Sequence, residues 1–299
     1  GSKIDFERLS DGRGRVKFTQ PVLVQKLEDE FDLPSGTPPK TPAVAGQVLV
    51  RGDGSGVFEG AEATKFRSGT AICMFMQQWS RPDIYNATRC CARMMSGPRP
   101  AHDKALKHLM QYVVATKERG LVLEPGRIWD GSKDFEFVIR GRSDSDYATN
   151  PDDRKSVFGS RVFVEECPAV FRSATQRTVA LSVTEAERSA GVVTAQDMMY
   201  IFRLIISVQL KVALPMVLEM DNKGAVDLAN NMSVGGRTRH VDVREHYLRE
   251  LKEEGLLVIK WINGDDNDAD IFTKNVTAAV FDRHIPLYVG KDKYMSGQT

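Results

Sequence analysis

The chain reads as α/β with a mixed sheet, preceded by a mostly helical N-terminal region. Three observations predict this. Between residues 135 and 173, three β-type runs follow one another with only turns between them, which favours an antiparallel meander. From residue 183 onward helical and strand-like segments alternate, which favours parallel pairing through crossovers. Before residue 124, apolar residues recur mainly at helical spacing.

The elements follow in order. Residues 3–33 give a hairpin turning at Asp11-Gly12-Arg13-Gly14, then a helix opened by Gln20-Pro21 with Val22, Val24, Leu27, Phe31 and Leu33 on its apolar side. Residues 34–64 are a linker by composition, with Pro34, Pro38, Pro39 and Pro42 among glycines and serines. A helix over 68–78 and a second from Pro82 to about Met95 precede the breaks at Gly97-Pro98 and Pro100. Residues 101–119 form an amphipathic helix lined by Leu106, Leu109, Met110, Val113 and Val114, closed by Gly120. Residues 124–134, with Pro125, Gly126 and Gly131, mark a boundary. Strands are expected at 135–142, 156–165 and 168–173, a helix at 183–210, and a strand at 216–220. Helices at 222–230 and 241–253, a strand at 256–262 and a helix from 266 to about 280 complete the order βββ-α-β-α-α-β-α.

Size and composition suit a two-domain soluble protein: 299 residues, 41% hydrophobic and 27% charged. Cys73, Cys90, Cys91 and Cys167 show no C-x-x-C spacing and read as free thiols of a reducing compartment. Gly1-Ser2 reads as an expression scar, and no secretory leader is expected. The run 198–220 is interrupted by Arg203, Gln209, Lys211 and Pro215, so no membrane span is expected. Net charge is +1, but residues 1–123 carry 18 Lys+Arg against 13 Asp+Glu, and the remainder carries 23 against 27. A basic part beside an acidic part suits a polyanion-holding module next to a metal site, and equally suits ordinary surface variation.

The segment Arg142-Ser-Asp-Ser-Asp-Tyr-Ala-Thr-Asn-Pro-Asp-Asp-Arg-Lys-Ser156 carries the chemistry. Asp144 closes the first strand of the meander, and Asp221 closes the fourth strand just before a helix. Ligands in open α/β sheets gather outside the carboxyl ends of strands. If these two strands are neighbours, both carboxylates enter one small volume, where they repel unless cations intervene. Hard oxygen donors suit Mg²⁺ or Mn²⁺, and a pair of such ions suits phosphodiester displacement. Glu187 lies early in a helix beside Ala190, Gly191, Thr194 and Ala195, small residues that let a helix approach a sheet; Thr184-x-x-Glu187 and Ser182-x-x-Glu185 both also fit a capping box. Asp270 fits a metal ligand and also a first-turn helix acid. Gly264-Asp265-Asp266 precedes a helix rather than lying in a hairpin, which disfavours a polymerase reading. No His-Glu-x-x-His, Gly-x-Ser-x-Gly, Gly-x-x-x-x-Gly-Lys-Ser/Thr or Gly-x-Gly-x-x-Gly occurs; His240 and His246 face apart, so zinc is not expected.

Six ordered motifs carry a resemblance: Ser143-Asp-Ser-Asp-Tyr-Ala148, Pro151-Asp-Asp-Arg-Lys-Ser156, Thr178-Val-Ala-Leu-Ser182 with Thr184-Glu-Ala-Glu187, Met220-Asp-Asn222 with Ala225, Arg237-Thr-Arg-His-Val-Asp242, and Ala269-Asp-Ile-Phe-Thr-Lys274. Together they resemble the ribonuclease H domain of copia-type long-terminal-repeat retrotransposon Pol polyproteins. Phe66-Arg-Ser-Gly69, Arg81-Pro-Asp-Ile84 and the helix after Pro100 resemble the segment between the reverse-transcriptase palm and that domain. The resemblance implies a C-terminal fragment. Residues 1–123 would be a thumb/connection region with 34–64 a flexible linker, 124–134 a second linker, 135–275 the nuclease and 276–299 a tail. It implies a ribonuclease H-like five-stranded mixed sheet with flanking helices, and the catalytic, metal-holding set Asp144, Glu187, Asp221 and Asp270. The implied activity is endonucleolytic cleavage of the RNA strand of an RNA–DNA hybrid with two Mg²⁺ or Mn²⁺ ions, leaving 3′-OH and 5′-phosphate ends. The implied partners are the hybrid and the fingers and palm of the reverse transcriptase. The implied place is intracellular: cytoplasmic within a virus-like particle, and the nucleus. A catalytically silent binding or structural module is the alternative.

Two departures stand out. The polymerase motif, an aromatic then x-Asp-Asp, is absent, so no polymerisation is expected. The loop 263–268, where cellular and retroviral ribonucleases H place a mobile His, has none; water, Asp265 or Asp266 are the candidate replacements. Candidates for holding hybrid phosphates and 2′-hydroxyls are Arg154, Lys155, Arg172, Arg177, Asn222, Arg237 and Arg239. The helix after Pro100 offers Lys104, Lys107 and Lys117.

Overall fold

The structure, a computed structural model, describes residues 1–52, 54–231 and 243–291. Strands β1 (Lys3–Arg8) and β2 (Gly14–Thr19) form the expected hairpin, and Asp11 closes its turn by accepting from the Arg13 amide at 3.0 Å. Helix α1 (Pro21–Glu30) starts on its proline, as read. The stretch 31–59 has no helix or strand among its described residues. It is tied down all the same: Leu49 is buried in the core, and Thr41 O and Val50 O meet the Nε2 atoms of His108 and His102.

Helix α2 (Gly60–Trp79) is longer than expected, beginning eight residues before Ser68. A 3-10 turn (Pro82–Ile84) leads into α3 (Tyr85–Ala92), followed by α4 (Pro100–Ala115). Strand β3 (Leu121–Leu123) pairs with β2 and was not anticipated, because three apolar residues show no alternation.

The first strand of the region 135–275 differs from expectation. It splits into β4 (Glu136–Phe137) and β5 (Ile139–Asp146), with the Val138 amide given to Glu165 Oε1 at 2.7 Å. β5 runs through the acids, because β6 (Val157–Val164) pairs with it up to Asp146–Val157. Asp144 therefore sits inside a strand, not at its end. β7 (Cys167–Thr175) completes the meander. Then come α5 (Val183–Ser207), the short β8 (Lys211–Val212), β9 (Met216–Met220), α6 (Lys223–Asn231), α7 (Val243–Glu253) and β10 (Leu257–Trp261). The expected helix from 266 is broken into a 3-10 turn (Gly264–Asp266), α8 (Asp270–Thr273), α9 (Ala278–His284) and α10 (Pro286–Val289). Between α8 and α9 the weak helix formers Asn275, Val276 and Thr277 give way to tertiary bonds. The Asn275 carbonyl accepts from Gly46 N, and its side chain gives to Gln47 O and takes from Asn86 Nδ2.

The main sheet has the order β10-β9-β5-β6-β7, with β5, β6 and β7 antiparallel and β5, β9 and β10 parallel. This is the five-stranded mixed sheet with flanking helices that the resemblance implies. Alternate residues of β6 serve two cores. Val162 packs with Val192, Met198, Leu218, Leu251 and Ile259 under α5 and α7. Phe163 faces the other way, into a core shared by Phe272, Phe281, Ile285 and Tyr288 with Ile84, Tyr85, Met94, Leu109 and Tyr112 of the N-terminal helices. Edge-on aromatic contacts Tyr85–Phe272, Tyr112–Phe281 and Phe272–Tyr288 knit that core. Among the described residues no helix is long and apolar enough to cross a membrane.

Candidate active site

The sheet register builds the centre of the site. β5 and β9 are parallel neighbours with Ser143 opposite Met220, so the next residues, Asp144 and Asp221, emerge side by side. Glu187 arrives from α5 on the sheet's other layer. That helix can lie close because Gly141 has no Cβ: one placed there would stand 2.5 Å from Met198 Sδ and 2.9 Å from Thr194 Cγ2. The helix start answers the capping question. Ser182 accepts from the Glu185 amide at 3.1 Å, and Glu185 Oε2 accepts from Leu181 N at 2.7 Å. Glu185 is used locally, which leaves Glu187 to face inward.

One oxygen from each of Asp144, Glu187 and Asp221 lies within 4.8 Å of the other two. Asp144 and Glu187 are buried. Glu187 Oε1 accepts from Ser145 N at 3.2 Å, while Glu187 Oε2 is buried with no hydrogen-bond partner. Burial, then the charges of Asp144 and Asp221, push the Glu187 carboxyl up to about 9. Burial and Asp144 raise Asp221 as well, against a hydrogen bond from Asn267 that lowers it. Three clustered hard-oxygen donors, one with an orphaned oxygen, fit a divalent cation.

Asp270 reaches the cluster from the opposite face. It begins α8, and the preceding loop lies against β6 because of Gly159, where a Cβ would stand 2.7 Å from Ala269 O. Burial and the Asp144 charge push Asp270 up to about 7. Its nearest cation is Lys274, with Nζ 2.9 Å from Asp270 Oδ1 and 3.4 Å from Asp144 Oδ2. The Thr273 hydroxyl also donates to Asp144 Oδ2. Burial works against the Lys274 charge, but Asp144 and Asp270 outweigh it and raise its affinity for the proton.

A buried network underlies α8. Asp268 is fully buried and accepts from Arg142 Nη1 at 2.9 Å, Tyr288 Oη at 2.6 Å and Arg161. The Asn267 side chain donates to Ser143 O at 3.0 Å. The segment that delivers Asp270 is thus fastened to β5, β6 and α10.

The expected nucleic-acid contacts separate. Arg172 and Arg177 line one groove of about 470 Å³ between β7 and α5, although Arg172 also pairs with Asp197 at 2.8 Å. Arg154 is exposed in the β5–β6 loop with φ +57°, and Lys155 pairs there with Asp153 at 3.6 Å. In the same loop Asp152 is paired with Arg93 of the N-terminal part at 3.3 Å. Asn222 caps α6 by accepting from the Ala225 amide at 2.8 Å, which leaves its NH₂ group to donate to a ligand. Arg237 and Arg239 lie outside the described residues.

Sequence reasoning missed Lys274 as a site residue. The signal was present: Asp270 and Lys274 are four apart, the spacing that pairs opposite charges on one helix face. Trp261, 53% exposed, is a second omission; its indole donates to Asp221 O at 2.9 Å.

No protein-family model matches the chain. It is 28% identical over 286 residues to the retrovirus-related Pol polyprotein from transposon TNT 1-94 of Nicotiana tabacum, covering 94% of this chain and 20% of the polyprotein. It is 29% identical over 220 residues to the corresponding polyprotein from transposon RE1 of Arabidopsis thaliana, covering 74% of this chain and 14% of that one. The chain thus spans a fifth or less of the length of these relatives. Among solved structures, LC11-RNase H1 in complex with RNA/DNA hybrid matches with a TM-score of 0.33 and 14% identity, over 43% of this chain and 88% of that one.

Proposed function

We propose that this chain, whose homologues are retrovirus-related Pol polyproteins of plant transposons, is a metal-dependent endonuclease that cuts the RNA strand of RNA–DNA hybrids. The observation that carries this reading is the cluster of Asp144, Glu187 and Asp221 oxygens within 4.8 Å, with Glu187 Oε2 buried and unpartnered. These three side chains would hold Mg²⁺ or Mn²⁺, and Asp270 completes the catalytic set beside Asp144. A divalent cation there supplies Lewis-acid stabilisation of the phosphodiester and activation of water. The chain's own residues place the scissile phosphate. Arg172 and Arg177 contact the duplex backbone from the β7–α5 groove, Arg154 and Lys155 from the β5–β6 loop, and the Asn222 amide reaches a 2′-hydroxyl beside Asp221. Arg237 and Arg239, outside the described residues, are further candidates for phosphate contact.

Within the intact polyprotein the region 1–123 helps hold the duplex, and the fingers and palm of the reverse transcriptase are the partners. The work takes place inside the cell, in the element's particle and in the nucleus. Labelled hybrid incubated with the chain and Mg²⁺ tests this. Wild type should cut only the RNA strand. Asp221→Asn should bind hybrid and leave it intact. Wild type that binds hybrid without cutting would instead mark a silent binding module.

A further inference from the structure

Four carboxylates meet here, yet only three of them share a cation-sized volume. The fourth, Asp270, is already neutralised from within. Lys274 Nζ stands 2.9 Å from Asp270 Oδ1 and 3.4 Å from Asp144 Oδ2, so one ammonium bridges the two acids that come from α8 and β5. We infer that Lys274 is a built-in counter-ion that takes the place of a second divalent cation, leaving Asp144, Glu187 and Asp221 as a site for one.

Three observations support this, resting on the reading of the site as metal-dependent. First, the fold anchors the backbone that carries Lys274. Lys274 follows α8 directly, and the next residue, Asn275, is clamped by Gly46, Gln47 and Asn86. Second, the unmet need for positive charge lies on the other side of Asp144. The only carboxylate oxygen of the described residues that is buried and without a hydrogen-bond partner is Glu187 Oε2. Third, Asp144 Oδ2 is already engaged by Lys274 and by the Thr273 hydroxyl. A second ion between Asp144 and Asp270 would have to displace the ammonium from both acids. An ammonium held between two carboxylates offsets their charge through charge-assisted hydrogen bonds, with no need to strip the water shell of a second metal ion.

Lys274 is a positioning residue in this scheme. It keeps Asp270 against Asp144 and sets how many ions the site accepts. The experiment is a Mn²⁺ titration of the metal-free chain, without nucleic acid, followed by electron paramagnetic resonance and calorimetry. Wild type should bind one Mn²⁺ at the site. Lys274→Met, uncharged and of similar length, should bind two. Lys274→Arg should return the count to one. Asp270→Asn, which keeps the three-oxygen cluster whole, should still bind one. That variant tests the idea even if Lys274→Met folds poorly. Two ions in wild type at similar affinity, or loss of the single ion in Asp270→Asn, would overturn the counter-ion assignment while leaving a metal-dependent nuclease intact. No ion in wild type, together with no hybrid cleavage in Mg²⁺, would overturn both.

Discussion

Replacing Glu187 with Gln should stabilise the metal-free protein at neutral pH, and the size of the gain follows from where the side chain sits. Glu187 is 4% exposed and shares its surroundings with Asp144 and Asp221. Its folded-state carboxyl is raised from an ordinary 4.5 to about 9. Below pH 4.5 the carboxyl is protonated in both states, and its contribution to stability is fully present. Above that, the unfolded chain sheds the proton while the folded chain keeps it, so stability falls with rising pH by about 1.4 kcal/mol per pH unit. The loss amounts to about 3 kcal/mol at pH 7 and continues up to the folded value. Gln is neutral throughout and has a carbonyl that can still accept from Ser145 N. In chelator, Glu187→Gln should therefore match wild type near pH 4.5 and exceed it by up to about 3 kcal/mol at pH 7. Denaturant unfolding at the two pH values measures this. Saturating Mg²⁺ should reverse the order, because a ligand of the folded state stabilises only the chain that binds it. Equal pH profiles for the two proteins in chelator, or a wild type that is more stable at pH 7, would refute the argument that Glu187 is held against its charge.

Other outcomes follow from single contacts. Gly159→Ala should cost about 1–3 kcal/mol, since a Cβ would stand 2.7 Å from the Ala269 carbonyl, a backbone atom that cannot turn aside; hybrid cleavage should fall more than hybrid binding as Asp270 is displaced. Asp83→Asn should cost about 3–5 kcal/mol in denaturant unfolding, because Asp83 is paired with the buried Arg81 at 2.8 Å and accepts from Tyr112 Oη at 2.7 Å. Hybrid affinity should fall steeply with salt, and Arg177→Gln should lower the slope by about one counter-ion, as measured by fluorescence anisotropy. An unchanged slope would remove the β7–α5 groove from the duplex path.

The parts of the fold legible in the sequence are those fixed by local pattern. The hairpin, the Pro21 helix start, the meander and the later alternation of helices and strands are of this kind. The pairing of Asp144 with Asp221 was legible as a condition, namely that the two strands be neighbours, and the register of β5 on β9 meets it. What escaped was decided by distant residues. One helix was expected from 266 to about 280, but Asn275 is held by Gly46, Gln47 and Asn86, and the helix breaks there. Glu185 and Glu187 both fit a capping box, and only the resemblance selects Glu187; in the structure the capping bonds of Glu185 and the burial of Glu187 separate them. Lys274 was visible beside Asp270 but silent, because its second partner, Asp144, is 130 positions upstream.

The one-turn helix α8 shows why the N-terminal region matters to the candidate site. Asp270 and Lys274, one turn apart, point to the carboxylates. Ile271 and Phe272 point away, into the core that Ile84, Tyr85 and Met94 help build. Arg89 of α3 bonds Ser173 of β7 at 2.9 Å, and Asn86 bonds Asn275 at 2.9 Å. A turn of four residues has too few internal hydrogen bonds to hold its own shape, so its geometry comes from what it packs on. That packing surface is made mainly by β5, β6 and β7, with α3 completing it. The position of Asp270 relative to Asp144 therefore depends on residues 84–94 as well as on the sheet. A change in that helical layer should reach the carboxylates by moving Phe272, with no contact to nucleic acid needed.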